Sequence, residues 1–72
     1  MLAEIRGKIV LVIPENPDDS IRIEQKLAGL VNAGYRVEKR KWGGLVITDP
    51  ALRFKWETQE VLVDVRRILG ID

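Results

Sequence analysis

From Ile9 to Ile13 the chain reads Ile-Val-Leu-Val-Ile, five apolar residues with no polar break. An unbroken run of this kind is the pattern of a strand covered on both faces, so it predicts a central strand over Lys8 to Ile13. Pro14 stops it. Asn16-Pro17-Asp18-Asp19 then supplies a capping side chain, a first-turn proline and two acids suited to the positive end of a helix. Ile23, Leu27, Leu30 and Val31 recur at the spacing of one helical face, and Gly34 is a natural terminator, which predicts a helix from Pro17 to Ala33.

Tyr35 to Trp42 follows as a second strand, and strand, helix and strand in so short a unit imply a crossover with the two strands parallel. Gly43-Gly44 turns the chain into Leu45-Val46-Ile47-Thr48, predicting an antiparallel hairpin. Leu52 to Trp56 is ambiguous. Leu52, Phe54 and Trp56 alternate with Arg53, Lys55 and Glu57 as in a strand, whereas Ala51, Phe54, Thr58, Val61 and Leu62 continue a helical stripe into the chain's end. The strand is preferred, because aromatic residues at period two agree with a turn at Asp49-Pro50. Either way a helix runs from Thr58 to Leu69, with Val61, Leu62, Val65, Ile68 and Leu69 inward and Gly70 beyond it.

The prediction is one domain over residues 1–72 of two-layer α/β (α+β) class. Its order is β-α-β-β-β-α, with two helices on one face of a mixed three- to four-stranded sheet. The segment Ile-Val-Leu-Val-Ile, helix, Ala-Gly-Tyr-Arg-Val resembles the opening unit of doubly wound domains. Gly43-Gly44 leaves no room for a second crossover helix, so the resemblance ends halfway and no functional residue carries over.

Composition narrows the chemistry. The 72 residues include no cysteine and no histidine, which excludes disulfides, thiol nucleophiles, imidazole bases and metal sites built on either residue. Without a disulfide framework the cytoplasm is the expected compartment, and no apolar run is long enough for a membrane span. Glu15, Asp18 and Asp19 gather at the first helix, where complementing the helix dipole explains them better than a weak Mg²⁺ site. Glu38, Lys39, Lys41 and Asp49 contain the ingredients of a metal-dependent hydrolase at no trusted spacing. A non-enzymatic domain without cofactor, bound metal or small-molecule substrate is the expectation.

Charge is distributed unevenly. The net charge is +1, yet Tyr35 to Trp56 holds every aromatic residue and six bases against two acids. With Tyr35, Val37, Leu52, Phe54 and Trp56 inward, strand parity sends Arg36, Arg40, Trp42, Arg53 and Lys55 to the open sheet face. Such a face can track the phosphates of DNA or RNA and stack an unpaired base on Trp42. The isoelectric point of 8.1 is low for a dedicated nucleic-acid binder. The alternative is a homodimerising interaction or assembly module, with Val10, Val12 and Val46 exposed on that face beside Trp42 as an anchor.

Overall fold

A computed structural model describes residues 1–71. It shows an α+β domain, a four-stranded sheet covered on one face by two helices, but the order of elements is β-β-α-β-β-α. Strands β1 (Leu2–Arg6) and β2 (Ile9–Ile13) precede helix α1 (Pro17–Asn32), strands β3 (Arg36–Lys39) and β4 (Leu45–Thr48) follow, and helix α2 (Thr58–Leu69) closes the chain. The spatial order is β1-β2-β4-β3 and every pairing is antiparallel, so the expected mixed sheet is corrected. β2 and β3 do run in the same direction on either side of α1. However, β4 inserts between them, which turns the predicted crossover into a split β-α-β unit.

The sequence pattern does not announce β1. Arg6-Gly7-Lys8-Ile9 is a two-residue hairpin, and Gly7 takes the φ of 63° that its first turn position requires. The strand expected at 52–56 is absent. Asp49 instead starts a turn, its carbonyl accepting from Leu52 N at 3.0 Å and its carboxylate from Ala51 N at 2.9 Å. The Glu57 carboxylate then accepts from the backbone N–H groups of Arg53 (3.2 Å) and Phe54 (2.8 Å), folding the segment into a short 3-10 turn over Lys55–Glu57.

The helices form where capping and periodicity place them. The Asn16 side chain accepts from Asp19 N at 3.0 Å, and Pro17 occupies the first turn. Ile23 and Leu30 of α1 meet Val61, Val65 and Leu69 of α2 over Ala3, Val10, Val12, Leu45 and Ile47 of the sheet, and all ten are buried in one core. Val31, which periodicity places on the buried face of α1, is instead 54% exposed. Tyr35 is tied to α2 by its hydroxyl, which donates to Asp64 Oδ2 at 2.5 Å; burial first, and then the Asp64 carboxylate, push the phenol pKa up.

Candidate interaction surface

Register assigns every strand residue to a side. Ala3 pairs with Val12 and Ile5 with Val10; Val10 pairs with Ile47 and Val12 with Leu45; Val37 pairs with Ile47. These residues face the helices. Lys39 faces the same way and forms an ion pair with Glu24 of α1. The opposite side therefore carries Leu2, Glu4 and Arg6 from β1, Ile9, Leu11 and Ile13 from β2, Val46 and Thr48 from β4, and Arg36 and Glu38 from β3. Among the described residues no element covers this face.

The ion pairs agree with this parity. Arg6 donates to Glu4 Oε1 through Nη2 at 2.7 Å and Nε at 3.0 Å, and Arg40 Nη2 lies 3.6 Å from Glu38 Oε2. The members of each pair are two residues apart along one edge of the sheet, Glu4 and Arg6 on β1 and Glu38 and Arg40 on and just past β3, as side chains sharing a face are.

The open face has a definite layout. One row across the strands reads Glu4, Leu11, Val46, Glu38. The next begins with Arg6 and Ile9 and ends with Thr48 and Arg36, and the first row's other neighbour starts with Leu2 and Ile13. Apolar side chains thus line this side of β2 and continue to Val46 of β4, while charges, together with Leu2, line the edges. Ile9, Leu11, Ile13 and Val46 are half-buried by their neighbours in the sheet, yet none belongs to the core or packs against it.

The residues expected at a site are only partly brought together. Arg36 lies on the open face and Arg40 just past β3 on the same edge. Trp42, 55% exposed, precedes the Leu45 end of β4, whereas Arg53 and Lys55 follow its Thr48 end. The predicted row of four outward cations does not exist as one strand-borne surface, because residues 52–56 are not a strand. Val46 does face outward. Val10 and Val12 are corrected: both are wholly buried beneath the helices and offer no contact surface. A strand apolar throughout carries no polar residue to mark its outer side, so its own sequence leaves the parity of β2 undetermined.

Two features lie beyond the sequence pattern. Ile9, Leu11 and Ile13 form the uncovered apolar stripe. Phe54 and Trp56, expected in the core, are 57% and 68% exposed and stack on each other with centroids 6.3 Å apart and planes 8° from parallel. The glycine turn just before Ile9 is the available signal for the first. Strict alternation misleads for the second, since it is equally compatible with a turn.

Trp42 has a fixed seat. Its indole lies over Gly44, where a β-carbon would run into the ring and fall 2.6 Å from the Val12 carbonyl oxygen. Only glycine permits that approach.

The acids at the start of α1 are engaged within the chain. The Met1 amine contacts Glu15 Oε1 at 2.6 Å and Asp19 Oδ2 at 2.8 Å, and Asp19 also accepts from Glu15 N at 2.8 Å. Hydrogen bonding to Asp19 and then Glu15 raises the amine pKa. The same amine, followed by the Glu15 N–H, lowers that of Asp19. Among the described residues no group of three or more acids is placed to hold a metal ion, and no helix is long and apolar enough to cross a membrane. Comparison with protein-family models, curated proteins and solved structures finds no match.

Proposed function

We propose that this chain is a non-enzymatic assembly domain that self-associates through the open face of its sheet. The observation carrying this reading is β2, which is apolar on both faces although the described residues cover only one. Ile9, Leu11 and Ile13 with Val46 form a contiguous apolar patch, and Glu4, Arg6, Arg36 and Glu38 frame it as a polar rim. A second copy presents the same patch and rim, so one contact covers both.

Size sets the strength of this contact. Four strands at about 4.8 Å spacing and five residues at about 3.4 Å give a face of roughly 19 by 17 Å. That is below the ~800 Å² per partner of a standard interface, so association is reversible and concentration-dependent. The double variant Leu11→Lys/Val46→Lys tests it. The variant should remain folded when dilute, at some cost in stability from its two opposed lysines, and remain a single chain at concentrations where the wild type doubles in mass. Equal masses for both proteins at every concentration would reject the reading.

A second reading rests on the turn after β4. Arg53, Phe54, Lys55 and Trp56 are all exposed, and among the described residues neither cation forms an ion pair through its side chain. Cations beside a π-face suit single-stranded DNA or RNA. In a Trp42→Phe background, oligonucleotide should quench Trp56 fluorescence in a salt-dependent way, and a flat titration at low salt would dismiss this reading.

A further inference from the structure

The charge layout of the open face selects one symmetry for the pair, an inference that rests on the self-association proposed above and deepens it. In the row of Glu4, Leu11, Val46 and Glu38 both edges are negative, whereas in the row of Arg6, Ile9, Thr48 and Arg36 both edges are positive. The rows are adjacent, about 6.8 Å apart along the strands.

Three placements of a face-to-face two-fold axis can be compared. An axis parallel to the strands lays β1 over the partner's β3 at the same height, so Glu4 meets the partner's Glu38 and Arg6 meets the partner's Arg36. Like charges then oppose at all four corners, which penalises that arrangement. An axis perpendicular to the strands and centred on the glutamate row opposes each glutamate to its own copy.

An axis perpendicular to the strands and midway between the rows reverses the outcome. Glu4 comes over the partner's Arg6 and Glu38 over the partner's Arg36, each contact occurring twice. Leu11 comes over the partner's Ile9, and Val46 over the partner's Thr48. Each of these four charges meets its opposite, and Leu11 and Ile9 lie between them. The relative rotation of about 30° that twisted sheets adopt when stacked shifts the corners by only a few ångströms, within reach of Glu and Arg side chains.

We infer that two copies of this chain pack sheet to sheet about a two-fold axis running across the strands between the Glu4/Glu38 row and the Arg6/Arg36 row. The Arg6–Glu4 contact within each chain places both groups at the rim with their charges already directed along this face.

Single charge reversals at one corner test the axis. Glu38→Arg and Arg36→Glu should each weaken self-association about tenfold or more, because each sets like charges against each other twice. Mixing the two variants should restore a heterodimer of near wild-type affinity. The two substituted positions then oppose each other with opposite charge, and the unchanged Arg36 of the first variant meets the unchanged Glu38 of the second. Sedimentation of the separate and mixed variants, with one chain carrying a fluorophore, reads this out. If Glu38→Arg instead strengthens association, the axis lies along the strands and the inference fails while self-association stands. If neither reversal alters a wild-type dimer, or mixing restores nothing, the inference also fails. A wild-type chain that stays single at all concentrations removes the underlying proposal itself.

Discussion

Val10 and Leu11 are neighbours in β2 that face opposite ways, so truncating each to alanine separates the core from the proposed contact. Val10 is wholly buried. Removing its two carbons costs about 1.6 kcal/mol of transfer free energy plus a cavity term, about 2–3 kcal/mol in all. For a domain this size that lowers Tm by roughly 10–20 °C at any protein concentration. Leu11 is half-buried and outside the core. Its three carbons are worth about 2.4 kcal/mol when fully covered, of which about 1 is lost in the isolated chain and about 1 more only when a partner covers the face. A two-fold dimer carries the second loss twice, about 2 kcal/mol or roughly 30-fold in Kd. Urea unfolding at dilute protein, with sedimentation at high protein, measures both quantities. A Kd left unchanged by Leu11→Ala would refute this division of roles, as would a loss of stability in the dilute chain equal to that of Val10→Ala.

Three further outcomes follow from local chemistry. Gly44→Ala should cost about 1–3 kcal/mol by overpacking and shift Trp42 fluorescence, because the new methyl group meets both the indole and the Val12 carbonyl; an unchanged spectrum and midpoint would contradict that seat. Thr58 is buried and its hydroxyl has no hydrogen-bond partner among the described residues, so Thr58→Val should stabilise by about 1 kcal/mol, and a lower urea midpoint would show that the hydroxyl is satisfied. Asp19 has its pKa lowered in the fold from 3.8 and the Met1 amine has its pKa raised from 8.0. The carboxylate therefore contributes stability above 3.8 that is lost as pH falls through its folded value. The amine contributes stability below 8.0 that is lost as pH rises through its own. Asp19→Asn should flatten the acid limb of the stability profile, and an acid limb as steep as the wild type's would count against the pair.

Legibility in the sequence follows the strength of local signals. Asn16-Pro17 marks the start of α1, the apolar stripe from Val61 to Leu69 gives α2, and Gly43-Gly44 gives the β3–β4 hairpin. Each of those rests on residues close together in the chain. The insertion of β4 between β2 and β3 is a long-range pairing with no local mark. Residues 52–56 alternate like a strand, but the hydrogen bonds that decide their shape come from Asp49 and Glu57 outside the segment. The candidate site is legible in kind: an open sheet face with valine and arginine on it. Its membership is half wrong, since Val10 and Val12 exchange places with Ile9, Leu11 and Ile13. Once β1 is recognised, Glu4 and Arg6 show which side of the sheet meets water, and the parity of β2 follows from its register with them.

Both the assembly role and the choice of axis depend on a second copy of this chain covering the apolar side of the sheet. Sedimentation equilibrium of the wild-type chain, from about 1 to 500 μM at moderate salt, spans the range in which a contact of this modest area forms. The average mass should rise from the 8.2 kDa of one chain toward twice that value. A mass that stays at 8.2 kDa across the whole range would contradict the dimer.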